Sequence, residues 1–146
     1  MSARKKNIAV VERYLAVTTR GNLDELAELV HLRVKAFDGE DRVTGLSKVR
    51  AYFEGLRSGI TGLRFAAEIT ACDGQWVAVC GKMNGSHSGP IMGLPVSGAR
   101  FSVPGAALIR VIEGKIADIR SFWDLAAFLK QTSLPPASAG SLKRKP

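Results

Sequence analysis

Asp124 and His87 carry the strongest chemical signal in the chain. Proton transfer beside a carbonyl needs few parts: a base to remove the proton, a donor to steady the enolate oxygen, and a dry setting that strengthens both. Asp124 follows Phe122 and Trp123 and precedes Leu125, Ala126 and Ala127. A carboxylate in apolar surroundings has a raised pKa and can exchange protons near neutral pH. Strand alternation gives Asp124 the same face as Ile116, Asp118, Arg120 and Phe122. Its competing role is the N-cap of a last helix, a position Asp often fills. His87 alternates with Val77, Val79 and Met83, which sets it on an apolar face. There it donates to a substrate oxygen, or shares a proton with Asp124, or is a satisfied core histidine.

Other polar side chains are candidates for binding. Tyr14 sits beside the Ile8, Val11 and Leu15 stripe of a first helix, as a pocket hydrogen-bond donor or an amphipathic core-edge residue. Asp38 ends a strand-like run just before Gly39, with Asp41 competing for the same role and a solvated turn as the plainer reading of both. Phe53, Trp76, Met92 and Trp123 are expected to line a hydrophobic cavity, and Arg110 to reach a bound ligand. The two histidines and two scattered cysteines have no metal-ligand spacing, so no metal site is expected.

These residues must be positioned by helices followed by strands. Apolar spacing predicts a helix over 7–20 that stops at Gly21. Asn22 is a suitable N-cap for a second, short helix through Val30, with Asp24 and Glu25 in its first turn. Alternation predicts a strand over 32–38, and a third helix follows Gly45 with Val49, Tyr52, Phe53 and Leu56 on its inner stripe. The period then changes to two over 63–72, 75–87, 100–112 and 115–123, with tight turns at Asp73-Gly74 and Glu113-Gly114. Helices first and an antiparallel meander second imply an α+β fold. Gly81, Gly85 and Gly105 inside the long strands are expected to mark bulges or to curl the sheet. The Gly/Pro-rich loop from Gly89 to Ala99 exposes apolar residues in this reading, as a pocket lid or an interface. Cys72 and Cys80 are expected to be reduced core residues on opposite sheet faces.

The stretch from Gly85 to Asp124 resembles the SnoaL-like polyketide cyclase family, whose cone-shaped fold is shared with ketosteroid isomerases and nuclear transport factor 2. Gly85, His87 and Gly89 match its G-x-H-x-G turn, and Gly93, Pro95 and Gly98 its G-x-P-x-x-G loop. Arg110, Gly114, Lys115 and Ile116 match the Arg and G-K-I hairpin, and Asp124 the acid about ten residues later. The resemblance covers roughly residues 7–132. It implies a curved antiparallel sheet wrapped by about three N-terminal helices, with an apolar pocket. It also implies cofactor-independent acid/base catalysis of an intramolecular aldol or enolisation step, with Asp124 as acid/base and a hydrophobic carbonyl compound as substrate. By the same analogy, isomerase relatives place a base near Asp38, relatives use a Tyr from the first helix, and a homodimer forms through the outer sheet face. The chain departs from the family at Arg120, where an aromatic residue is usual. It departs again at Gln131-Thr132-Ser133, which replaces Gln-Leu-Gly, and at Arg110, near a position where cyclases carry His. Two further readings stay open: a non-catalytic binding or dimerisation module of the same fold, and an epoxide hydrolase built on Asp124, Arg110 and one of Asp38 or Asp118.

Composition limits the alternatives. With 146 residues, 46 % of them hydrophobic, the chain fits one domain with a sizeable core. The net charge is +8, but Arg4, Lys5, Lys6, Lys143, Arg144 and Lys145 account for six of it. The body is nearly neutral, so no nucleic-acid partner is expected. Residues 1–6 and 133–146 read as flexible basic tails flanking a 7–132 domain. No apolar run is long enough to span a membrane. Ile8 to Val17 is broken by Glu12 and Arg13, so a signal peptide is not expected and the cytoplasm is the expected compartment.

Overall fold

Burying the amphipathic helices against one face of a bent sheet produces the architecture. The computed structural model describes residues 2–91 and 93–132. Helix α1 (Ala3–Arg20) is followed by a 3-10 turn (Leu23–Glu25), the short α2 (Leu26–Leu29), β1 (Val30–Asp38), β2 (Asp41–Thr44) and α3 (Leu46–Gly59). Then come β3 (Ile60–Asp73), β4 (Trp76–His87), β5 (Arg100–Ile112), β6 (Lys115–Trp123) and α4 (Leu125–Gln131). The six strands run in the order β2-β1-β6-β5-β4-β3. The expected α+β fold with a curved sheet and N-terminal helices is the one observed. The sheet stays open, with β2 and β3 as its edges.

The meander from β3 to β6 is antiparallel, but β1 joins β6 in parallel, so the sheet is mixed. Short β2, absent from the alternation pattern, folds back on β1 with Asp38 opposite Asp41. The second helix ends at Leu29, and Val30 already belongs to β1. At the other end, α1 starts at Ala3 because the Ser2 hydroxyl accepts from the Lys5 amide at 3.2 Å. Arg4, Lys5 and Lys6 therefore lie in its first turns, which corrects their placement in a flexible tail. The segment 133–146 lies outside the described residues.

Of the glycines inside the strands, Gly85 stands opposite a register shift, between Ser86 paired with Thr61 and Asn84 paired with Arg64. Gly81 and Gly105 stand opposite none, and pairing of β4 with β5 is unbroken from Trp76 to Ser86. Gly81 and Gly105 are instead needed for space, as described below. The turn before β4 places Asp73 opposite Trp76, so its tip is Gly74-Gln75 rather than Asp73-Gly74. Cys72 is partly buried and Cys80 is exposed on the outer sheet face. Both are free, but Cys80 is not a core residue.

The loop after β4 is part of the core. Gly59 leaves room for it: a Cβ there would stand 2.5 Å from Ile91 Cγ1 and 2.7 Å from the Pro90 carbonyl oxygen. The amides of Ser88 and Gly89 donate to the Gly59 carbonyl at 3.0 and 3.1 Å. Ile91 and Leu94 are buried. The expectation of an exposed apolar lid or interface is thus corrected: of the apolar residues in the described loop, Val96 alone is largely exposed. None of the described helices is long and apolar enough to cross a membrane.

One side chain ties the helical layer together. Arg57 on α3 reaches the C-terminal end of α1, where backbone carbonyls lack intrahelical donors. Its guanidinium donates to Thr18 O at 3.1 Å, to Gly21 O at 2.8 Å and to Val17 O. The cation also complements the negative end of the helix dipole. Replacing Arg57 by Ala is expected to cost ~2–3 kcal/mol in urea unfolding, because charge-assisted bonds are lost and partly buried carbonyls are orphaned. Arg57→Lys should recover less than half of that loss, since an ammonium cannot span three carbonyls as a planar fork does.

Candidate functional site

An aromatic chain crosses the space between helices and sheet. Tyr14 on α1 meets Phe53 on α3 edge-on at 5.9 Å between ring centroids. Phe53 meets Tyr52 at 5.2 Å and Phe65 of β3 at 6.3 Å, and Phe65 stacks on Trp123 at 5.8 Å. These rings border two adjoining lobes of one cavity. Phe65, Ala107, Gly105 and Trp123 line the first lobe, and Ala36, Asp38, Val43 and Val49 the second. Tyr14, Tyr52, Phe53, Ile119 and Ser121 line both. The lobes measure ≈ 60 and ≈ 40 Å³. The larger is room for about four waters or an equivalent fragment of a ligand.

Glycines on the sheet create this room. Gly81 pairs with Gly105, and Gly105 with Trp123, in one row across β4, β5 and β6. A Cβ on Gly105 would overlap the indole, at 2.5 Å from Cζ3, and one on Gly81 would stand 2.5 Å from the Ala67 Cα. The indole of Trp123 therefore lies flat over a bare patch of sheet. No larger residue fits at Gly105 unless Trp123 moves.

Among the cavity's lining residues Asp38 is the one carboxylate. It ends β1 and is partly buried. The Tyr52 hydroxyl donates to Asp38 Oδ2 at 3.2 Å. Burial raises the Asp38 carboxyl above its ordinary range; the Tyr52 bond opposes this, and nearby Asp41 adds to it. Burial also pushes both Tyr14 and Tyr52 well above the ordinary phenol value, and the Asp38 charge and hydrogen bond push Tyr52 further. Both phenols hold their protons and are donors. A base able to take a proton, held by Tyr52, thus faces the same cavity as the Tyr14 hydroxyl, the kind of pairing enolisation uses.

The expected catalytic pair is not assembled there. Asp124 is exposed and caps α4, its Oδ1 accepting from the Ala127 amide at 2.9 Å. Its alternation with Arg120 and Phe122 is as read, but that parity belongs to the outer sheet face, where both are exposed. His87 is fully buried, as its apolar parity implied, yet away from the cavity. Its Nδ1 bonds Ser97 Oγ at 3.0 Å, and its ring meets Phe128 edge-on at 5.3 Å. Buried Nε2 has no partner among the described residues. Desolvation lowers its pKa, against a smaller opposing effect of a Gly89 backbone bond. The ring pins the loop to α4 and shares no hydrogen bond with Asp124.

The binding candidates divide between the two faces. Tyr14, Asp38, Phe53 and Trp123 line the cavity. Trp76 and Arg110 do not. They pair across β4 and β5 on the outer face, with the guanidinium 5.8 Å from the indole and donating to Gln75 Oε1 at 2.9 Å. Trp76 alternates with inward-facing Val77, so it points away from the cavity. Asp118 pairs with Arg120 at 3.2 Å and is absent from the cavity lining, so no two carboxylates flank an Arg inside. Met92 lies outside the described residues. Tyr52 is the cavity donor that the sequence reading left in the core stripe. The available signal was a phenol on an otherwise apolar helix face, whose hydroxyl needs a partner when buried. Among the described residues, no three His, Cys, Asp or Glu side chains gather as metal ligands.

Comparison with known proteins agrees with the fold. The family model described as SnoaL-like polyketide cyclase matches residues 8–132. The aklanonic acid methyl ester cyclase DnrD of Streptomyces peucetius is 29 % identical over 132 residues, covering 88 % of this chain and 91 % of that protein. A protein from Jannaschia sp. CCS1, described as a SnoaL-like polyketide cyclase, superposes with a TM-score of 0.84 at 26 % identity, covering 93 % of this chain and 98 % of that one. A Catenulispora acidiphila protein with a ketosteroid isomerase-like fold superposes with a TM-score of 0.70 at 22 % identity, covering 86 % and 93 %, a likeness of fold alone.

The buried imidazole makes stability depend on acid. Folding holds His87 below its ordinary value of 6.5, so the unfolded chain takes up the proton first as pH falls. Unfolding free energy should therefore decline as pH drops below 6.5, and urea titrations on either side of that value measure the slope. His87→Gln should flatten this part of the profile; an unchanged slope in that variant would remove His87 as its source.

Proposed function

The chain belongs to the SnoaL-like polyketide cyclase family, and from that premise we propose that it is a cofactor-independent enzyme acting on a hydrophobic carbonyl compound by acid/base catalysis. In this reading Asp38, held by the Tyr52 hydroxyl, removes a proton beside the substrate carbonyl, and the hydroxyl of Tyr14 steadies the enolate oxygen. The enolate then attacks a second carbonyl of the same molecule in an aldol ring closure, or is reprotonated in an isomerisation. Proton transfer of this kind draws on side chains alone. The family model is described as polyketide cyclase and the curated relative is named as a cyclase of aklanonic acid methyl ester, which supports a carbonyl-containing substrate of that general class here.

One observation carries the reading: Asp38 is a partly buried carboxylate with a raised pKa, hydrogen-bonded by Tyr52 at the wall of an apolar cavity. Asp124, the acid of the family pattern, caps a helix in solvent instead. That exposure favours a second reading, a ligand-holding module of the same fold without turnover.

Asp38→Asn separates the two. Loss of a general base should lower kcat by ~10²–10⁴-fold, while Asp124→Asn should leave turnover within about threefold, since Asn caps a helix about as well as Asp. The raised Asp38 pKa has a definite sign for stability. Its favourable contribution is present at acid pH and lost as pH rises through the folded value, so the ionised group is a cost at neutral pH. Asp38→Asn should therefore raise Tm at neutral pH as it removes activity. The acid limb of kcat/KM should titrate above the ordinary value of 3.8. Full turnover in Asp38→Asn would end its role as base.

A further inference from the structure

Ser121 brings an uncommitted hydroxyl to the cavity wall. It alternates on β6 with Ile119 and Trp123, which line the cavity, so its side chain points the same way. In the sheet it stands between Asp38 of β1 and Ala107 of β5. Neighbouring strands lie ~4.8 Å apart, which sets the hydroxyl beside the Asp38 carboxylate on one face. The short side chain of Ala107 leaves it uncovered on the other side. Ser121 is half-buried and lines both lobes. Its backbone is fixed, with the carbonyl accepting from the Gly39 amide at 2.9 Å. Other hydroxyls of the cavity are committed: Tyr52 donates to Asp38, and Thr18 donates to the Tyr14 carbonyl at 2.9 Å. The Ser121 hydroxyl has no hydrogen-bond partner among the described residues. A purely apolar ligand would strip it of water and give nothing in return, whereas a ligand oxygen at that point would satisfy it.

We propose that Ser121 is a second catalytic donor of this site, its hydroxyl bonding the substrate's carbonyl oxygen while Asp38 takes the proton from the adjacent carbon. The proposal rests on Asp38 being the base. The carbon–hydrogen bond breaks, its proton goes to the Asp38 carboxylate, and its electron pair shifts so that the charge gathers on the carbonyl oxygen. Ser121 keeps its own proton throughout. Its hydrogen bond strengthens as that oxygen gains charge, so it favours the enolate over the ground-state carbonyl. The oxygen is then held by Tyr14 from the helix layer and by Ser121 from the sheet. A base and a donor on adjacent strands suit two atoms of one substrate that are themselves close neighbours.

An enolate mimic tests this. The full chain carrying Asp38→Asn, whose neutral amide stands for the protonated base, is titrated calorimetrically with 4-nitrophenolate, which presents an oxyanion on a ring, and with nitrobenzene, which lacks it. Adding Ser121→Ala is expected to weaken 4-nitrophenolate ~10-fold, the loss of one hydrogen bond to a charged oxygen. Nitrobenzene should bind as before, which also reports an intact cavity. Equal weakening of both probes overturns the proposal, because Ser121 then only shapes the wall. Unchanged binding of 4-nitrophenolate overturns it too, and either result leaves Asp38 as base to its own turnover test. Failure of both probes to bind the Asp38→Asn chain overturns the cavity reading, and the proposal with it.

Discussion

The site depends on a bare row of backbone in the sheet. Gly81 and Gly105 lie side by side, and the indole of Trp123 rests where a side chain on Gly105 would be. Without that gap the ring would be forced off the sheet, Phe65 would lose its stacking partner, and the space between helices and strands would close. The cavity in turn sets the electrostatics. Asp38 ends its strand where apolar and aromatic walls strip it of water, and burial is the largest influence on its carboxyl. Its hydrogen-bond partner there is Tyr52, a phenol that keeps its proton.

Polar groups outside the cavity are spent on holding the frame. Arg57 gathers three carbonyls at the end of α1. His87 and Gly59 hold the Gly/Pro-rich loop against the core through Ser97 and backbone amides. Asp124 starts α4. The convex face carries its own cation–aromatic set, with Arg110 and Arg120 over Trp76 and Arg120 over Phe37. Leu108 and Phe122 are also exposed on that face. Chemistry-bearing residue types are therefore common in this chain, and most serve structure.

Much of the architecture was legible from local signals. The change from helical to strand period, the Glu113-Gly114 turn and the α3 stripe through Val49, Phe53 and Leu56 all correspond to observed elements. Edges were less legible. Strand β2 is four residues long and shows no alternation, and the parallel pairing of β1 with β6 joins segments about eighty residues apart. Of the expected site residues, Tyr14, Asp38, Phe53 and Trp123 do meet around one cavity. Asp124, Trp76 and Arg110 were misplaced for one shared reason: alternation says which residues share a face and not which face is concave.

The sequence by itself determined the sequence of elements, the pairs of residues that share each strand face and the family to which the chain belongs, because these follow from period, turn chemistry and short motifs. Only the tertiary structure decided which face of β4, β5 and β6 looks inward, and so which carboxylate is shielded. That choice depends on where α1 and α3 pack and on the glycine gap beneath Trp123, both set by contacts between residues far apart in the chain. Asp38 and Tyr52 are fourteen residues apart, and only the fold brings the hydroxyl to the carboxylate.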